Sequence, residues 1–234
     1  MSHGMQQQTC EPRQVAVFDY DGTCIDGQSG SLIAKWLLRN GYLTPRAVVG
    51  LAWWGFRYKF HLPYRQERSR ELIFGVLRSR DADEIHRIMT QFHAEVLESE
   101  YRPRAMEEIA RRKAEGCATV IVSATFEDIA SEAAHHLGTD GFVATKMEKM
   151  PNNHYTGRVE GDVVAGKAKV NAVRSWADEH LGSGVWELAY AYGDHHSDIE
   201  LLGAAREPMA VSPGPTLKKE AHRRGWPIAN WKAD

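Results

Sequence analysis

Apolar positions follow two different rhythms along this chain. Val15-Ala16-Val17-Phe18 is an unbroken apolar run, which predicts a strand buried on both faces. From about Ser29 to Glu100 the spacing turns helical and no clear strand interrupts it. Helices are predicted over Ser31–Arg39, Ala47–Phe60, Arg65–Leu77 and Ala82–Ser99, with breaks at Gly41, Pro45 and Leu62-Pro63. From Pro103 onward helices and strands alternate. A helix opens with proline in its first turn (Pro103–Glu115) and is followed by a strand (Ala118–Val122). A helix stopped by Gly138 (Glu127–Leu137), a short strand around Phe142 and a hairpin through Pro151-Asn152-Asn153 come next. A helix (Lys167–Leu181), a strand (Leu188–Tyr192), a short helix from Ser197 and a last short strand (Met209–Val211) complete the pattern. Such alternation implies an α/β fold, a doubly wound parallel sheet with helices on both faces. The expected organisation is a core made of residues 14–28 and 101–234, a helical module inserted at 29–100, and a polar leader over 1–13 expected to be loosely ordered.

Composition narrows the function classes. The 234 residues suffice for a full core, and a formal net charge of −2 gives no global basic field for nucleic acid. Three widely spaced cysteines, Cys10, Cys24 and Cys117, with no CxxC pair, argue for free thiols in a reducing cytoplasm and against structural zinc. Met1 to Arg13 lacks the apolar centre of a signal peptide. The longest apolar run, Val48 to Phe56, has nine residues where a membrane span needs about 20, so no span is expected. That run reads instead as packing inside the helical module, or as the contact of a homodimer formed through it.

Candidate chemistry gathers where predicted strands end. Asp19 and Asp21 close the first strand in Phe18-Asp19-Tyr20-Asp21-Gly22-Thr23. Asp-x-Asp-Gly is often only a turn, but the calcium-loop reading fails, because Cys24 and Gly30 stand where an EF-hand needs glycine and glutamate. Two acids at a sheet edge suit phosphoryl transfer: one carboxylate attacks phosphorus and the other handles the proton of the leaving oxygen. A dianionic substrate then requires a divalent cation and a fixed positive group. Ser123, placed where a strand gives way to a helix, and the backbone of Ala124 after it, offer donors for phosphate oxygens. Lys167 and Lys169 stand at a helix start, where positive charge is unfavourable without a local anion. Taken singly, each of these two reads as a solvated surface lysine. Asp194 and Asp198 end another strand, and one acid from each strand would give Mg²⁺ hard oxygen ligands. His195 and His196 are adjacent on one loop with no third nitrogen ligand at metal spacing, so they are read as loop residues.

The order of these signals resembles the haloacid dehalogenase-like superfamily of aspartate-nucleophile phosphohydrolases. Its four motifs correspond here to Phe18-Asp19-Tyr20-Asp21-Gly22-Thr23, Ser123, Gly166-Lys167-Ala168-Lys169 and Gly193-Asp194-His195-His196-Ser197-Asp198. The inserted helices resemble the cap of the phosphoserine-phosphatase-like branch, and Tyr155-Thr156-Gly157-Arg158 its short hairpin. The resemblance implies a Rossmann-like core, Asp19 as nucleophile, Asp21 as general acid and base, and Ser123 as phosphate ligand. It implies Mg²⁺ held by Asp19, Asp194 and the backbone carbonyl of Asp21, with Asp198 ordering the metal shell or the lysine. Both Lys167 and Lys169 qualify as the catalytic lysine, with the motif's apolar neighbour Val170 favouring Lys169. Where phosphoserine phosphatases commonly carry an acid nine residues after the nucleophile, this chain has Gln28, which speaks against serine phosphate as substrate.

The function expected is therefore that of a Mg²⁺-dependent phosphomonoester phosphatase acting on a small phosphorylated metabolite. A phosphomutase or phosphotransferase shares its first half-reaction, and a non-catalytic phosphate-binding protein is the reading from another class. Between Arg57 and Arg80 seven Lys/Arg (Arg57, Lys59, Arg65, Arg68, Arg70, Arg78, Arg80) face two acids, Glu67 and Glu71. Such a run is read first as a solvated helix face; turned toward the site, it would favour a substrate with a further anionic group.

Overall fold

The computed structural model describes residues 12–59, 66–78 and 80–232. The first strand, β1 (Arg13–Asp19), is buried from Ala16 to Asp19, with Val15 also fully covered. Its side chains alternate between two cores. Ala16 and Phe18 join one cluster, which extends through Ile33, Ile109, Ile121, Ile129 and Tyr192. Val15 and Val17 join the other, with Val120, Val122, Val173, Leu201 and Leu217. The period of two along a strand explains this division, and it makes β1 the centre of a three-layer α/β structure.

Helices α1 (Ser29–Arg39), α2 (Pro45–Lys59), α3 (Gln66–Phe74) and α4 (Ala82–Phe92) follow β1. Pro45 opens α2 where sequence suggested a break. Its missing N–H is one the first turn would leave unpaired anyway, and Thr44 Oγ1 accepts from the Ala47 N–H at 3.3 Å. The helix expected to reach Ser99 ends as α-helix at Phe92 and continues as a π-turn (His93–Leu97) and a 3₁₀ turn (Glu98–Glu100). On α2, Val49, Trp53 and Phe56 are exposed.

The remaining elements are α5 (Pro103–Ala114), β2 (Ala118–Phe126), α6 (Glu127–Leu137), β3 (Gly141–Lys149), β4 (Tyr155–Glu160), α7 (Lys167–Leu181), β5 (Trp186–Gly193), α8 (Ile199–Ala204), β6 (Glu207–Val211), α9 (Pro215–Arg224) and β7 (Ile228–Ala229). The sheet runs β4-β3-β2-β1-β5-β6-β7, parallel throughout except for the antiparallel β3–β4 hairpin. Met209–Val211 is therefore not the last strand. Of α9 only Leu217 and Ala221 are buried, too few to give a helical stripe, and β7 has just two residues.

This strand order has a physical consequence. The chain steps outward from β1 through β2 and β3, then crosses back to place β5 on the other side of β1. A parallel sheet splits its connections at such a switch point and leaves a crevice beyond the carboxyl ends of the two strands. Asp19 ends β1, and Asp194 directly follows β5.

Cys24 and Cys117 are free and buried, while Cys10 and the rest of the polar leader through Glu11 lie outside the described residues. Arg13 already belongs to β1. Among the described residues, no helix is long and apolar enough to cross a membrane.

Candidate active site at the carboxyl ends of β1, β2 and β5

Asp19 is 4% exposed, and Lys169, on the first turn of α7, is 3% exposed. The Lys169 ammonium donates to Asp19 Oδ1 in a short bond and to Asp198 Oδ1 at 2.6 Å. Asp198 is fully buried, and its other oxygen accepts from the His195 N–H at 3.0 Å. Lys167 is exposed. Residues two apart on a helix point about 200° from each other, so when Lys169 faces the site Lys167 faces solvent.

Oxygens of Asp19, Asp194 and Asp198 all lie within 4.8 Å of one another. Three carboxylates surround one ammonium, and burial together with the excess negative charge raises the proton affinities of Asp19 and Asp194. Burial, then the Asp198 charge, push the Asp19 carboxyl well above its usual range against the pull of Lys169. Asp194 is pushed up to about 7 by burial and then by Asp198. Burial works against the Lys169 ammonium, but Asp19 and Asp198 outweigh it and raise its pKa.

This cluster fits a divalent cation on its own evidence. Asp194 Oδ1 is buried without a hydrogen-bond partner, which costs stability unless something positive satisfies it. Gly22 adopts φ +81°, and a Cβ there would come within 2.2 Å of Asp194 Oδ2. Only glycine lets the backbone approach the carboxylate so closely. The donors are all hard oxygens, the set that Mg²⁺ prefers. Residues Asp19 and Asp194 would hold the ion, while Asp198 has one oxygen on the Lys169 ammonium and the other on the His195 N–H.

Asp21 stands beside this cluster with its own support. Ser29, first residue of α1, donates its N–H to Asp21 Oδ1 at 2.5 Å, so a helix N-terminus holds the carboxylate. The Ser29 hydroxyl donates to Thr125 Oγ1 at 2.8 Å and ties α1 to β2. Burial raises the Asp21 pKa, and the Ser29 N–H only partly offsets it. A carboxyl with raised affinity for its proton suits a general acid.

Ser123 requires a correction. It does not mark the end of its strand: β2 continues through Phe126, carried by Thr125 and Phe126, which pack as well in a strand as in a turn. Ser123 is 1% exposed, and its Oγ accepts from the Thr125 N–H at 3.0 Å, leaving its own O–H free to donate. The carbonyl of Ala124 accepts from Thr145 Oγ1 at 3.0 Å and from Arg70 Nε at 2.7 Å. Arg70, half-buried on α3, thus reaches the sheet edge, contrary to the reading of its charge run as a solvated face. Arg68, paired with Glu71 at 3.7 Å, does face solvent, while Lys59 and Arg65 fall outside the described side chains. Gln28 is exposed, and its side chain does not cap α1.

His195 is a turn residue as expected. Its Nδ1 is 3.0 Å from Ser197 Oγ and closes the turn that presents Asp198. A cavity of about 460 Å³ lies elsewhere, against Tyr190, Met209 and Trp226, and none of the acids above lines it.

The sequence model of the haloacid dehalogenase-like hydrolases matches residues 16–203. The chain belongs to that family. All four motif segments fall inside the match, and so do the helices between the first two. A histidinol-phosphatase of Neisseria meningitidis is 26% identical over 94% of this chain and 100% of its own length. A phosphoserine phosphatase of Mycobacterium tuberculosis is 26% identical over 93% of this chain and 70% of its own. Among solved structures, a Bordetella pertussis protein of unknown function superposes with TM-score 0.84 at 27% identity, covering 94% of this chain and 100% of that one. A phosphoserine phosphatase caught with a phospho-aspartyl intermediate analogue shares the fold at TM-score 0.62 and 20% identity, covering 96% of each chain. The chain is an enzyme of the hydrolase class, and its named relatives stand among the phosphoric monoester hydrolases.

Proposed function

We propose that this hydrolase is a Mg²⁺-dependent phosphatase that removes phosphate from a small phosphorylated metabolite through an aspartyl-phosphate on Asp19. The observation that carries the reading is the convergence of Asp19, Asp194, Asp198 and Lys169 at one sheet edge, with Asp21 beside them. Asp19 attacks phosphorus and the ester P–O bond breaks, while Asp21 gives its proton to the departing oxygen. Asp21, now a carboxylate, then takes a proton from the water that attacks phosphorus, and Asp19 is released with inorganic phosphate. Lys169, held between Asp19 and Asp198, offsets the charge that gathers on the phosphoryl oxygens. A divalent cation on Asp19, Asp194 and the Asp21 carbonyl would supply the remaining neutralisation for the approach of a carboxylate to a dianion.

The Ser123 hydroxyl and the Ala124 N–H are the proposed donors to the phosphate oxygens. Residues 29–100 serve as a cap over the core of residues 14–28 and 101–234, and Arg70 brings one cap cation to the edge of β2. Free buried thiols at Cys24 and Cys117 suit a cytoplasmic setting. The named activities of the relatives point to phosphate esters of small metabolites, histidinol phosphate and phosphoserine among them. With a neutral amide at Gln28, phosphoserine should not be the preferred one.

The test is phosphate release over a panel of small phosphomonoesters, with Mg²⁺ and with chelator. Release that needs Mg²⁺ and ranks another ester above phosphoserine supports the reading. Full activity in chelator contradicts the metal, and no release from any ester contradicts the phosphatase.

A further inference from the structure

The helical segment rejoins the sheet core at Tyr101 and Arg102, and these two residues grip the loop that leaves Asp21. Arg102 is 3% exposed. Its Nη1 donates to the Gly22 carbonyl in a short bond, its Nη2 to Asp26 Oδ1 at 2.8 Å, and its backbone N–H to the Cys24 carbonyl at 2.9 Å. Asp26 returns a bond from its own N–H to the Glu100 carbonyl at 2.8 Å, and Ile25 bridges Tyr101 in antiparallel fashion. The Tyr101 hydroxyl lies 3.2 Å from that of Tyr20, the residue between the two site acids.

Stability alone is a poor reason for this arrangement. Among the described residues, Arg102 Nε is buried with no hydrogen-bond partner, and the guanidinium pairs with one charge, Asp26, which is itself exposed. A buried cation so incompletely satisfied contributes little net stability. What the guanidinium does hold is the Gly22 peptide, the piece of backbone that lies against Asp194.

We propose that Arg102 is a positioning residue of the metal site: it fixes the Gly22 peptide, and through it the placement of Asp194 and of the Asp21 carbonyl, and ties that placement to the exit of the helical segment. The proposal rests on the metal-dependent reading above. Groups that orient metal ligands from behind typically set affinity by about 10- to 100-fold.

The experiment measures Mn²⁺ uptake directly, from the electron paramagnetic resonance of free Mn²⁺ without substrate, on the full chain and on Arg102→Met and Arg102→Lys. Steady-state kcat, KM and the Mg²⁺ concentration for half-activation are read beside it. Arg102→Met should weaken Mn²⁺ binding by about 10-fold or more, raise the Mg²⁺ requirement in parallel and lower kcat with little change in KM. Arg102→Lys, able to keep one of the two side-chain contacts, should fall between. If wild type binds Mn²⁺ and Arg102→Met binds it equally, with only thermal stability reduced, Arg102 is a brace and the proposal is overturned. If wild type takes up no Mn²⁺ and works in chelator, the metal reading itself has failed and this role fails with it. Should Arg102→Met not fold, Asp26→Asn must weaken Mn²⁺ binding in the same direction; unchanged binding there overturns the proposal equally.

Discussion

The sheet edge and the helical segment that follows β1 are built on opposite principles. At the edge, every acid sits on or within a few residues of a strand end; the His195 N–H holds Asp198 from three residues away, and the Lys169 ammonium reaches Asp19 and Asp198 across 150 and 29 positions of sequence. The helical segment meets the edge at its first residue, Ser29, whose N–H holds Asp21, and through one long side chain, Arg70, reaching across 54 positions of sequence to the Ala124 carbonyl. Reacting groups require placement to a fraction of an ångström, which backbone-anchored acids on a rigid sheet provide. A group that only recognises a substrate tolerates the looser aim of an arginine on a helix. The contrast teaches that rate should live in the edge, with Ser29 behind Asp21, and affinity in Arg70.

The sharpest way to break this division is the lysine pair on α7. Lys169→Met removes the ammonium between Asp19 and Asp198 and should lower kcat on the order of 10²–10³. Lys167→Met, on the solvent side of the same turn, should leave the rate near wild type. Equal, mild losses from both would remove Lys169 from the reaction. A smaller and different effect is expected from the helical segment: Arg70→Met should raise KM more than it lowers kcat, measured on the best ester of the panel. A pure kcat defect would show that the segment takes part in the chemistry.

The smallest effect is on stability and concerns the edge alone. Asp194 is pushed up from 3.8 to about 7, so in metal-free protein the folded chain keeps a proton that the unfolded chain has already lost between those values. The unfolded state then binds fewer protons, and stability falls as pH rises from about 4 toward 7. Denaturant midpoints across that range should show the decline, and Asp194→Asn should flatten it. A slope unaffected by Asp194→Asn would mean that another carboxyl carries the strain.

Much of the edge was legible because the chemistry demands particular residue types at strand ends. Asp19, Asp21, Asp194 and Asp198 stand in short motifs after apolar runs, and the structure brings three of them together, with Asp21 alongside. The choice between Lys167 and Lys169 needed the helix phase in three dimensions. Ser29 and Arg102 carried no signal, because their partners are 8 and 80 positions away and nothing local distinguishes them from surface residues, while Arg70 stood out only as one of seven cations read first as a solvated face. The strand end at Ser123 was misplaced because Thr125 and Phe126 are as much at home in a strand as beyond one. Helix α9 was missed because Lys218, Lys219, His222, Arg223 and Arg224 swamp two buried positions.

The most direct test asks whether phosphate passes through Asp19. A turnover mixture quenched in acid and reduced with borohydride converts an acyl phosphate to an alcohol, and mass spectrometry of the peptide containing Phe18-Asp19-Tyr20-Asp21 locates the change. The account predicts homoserine at residue 19 and at no other position, formed only with Mg²⁺ and substrate present and absent from Asp19→Asn. Rapid phosphate release with residue 19 unmodified, or with the label on Asp21, would contradict it.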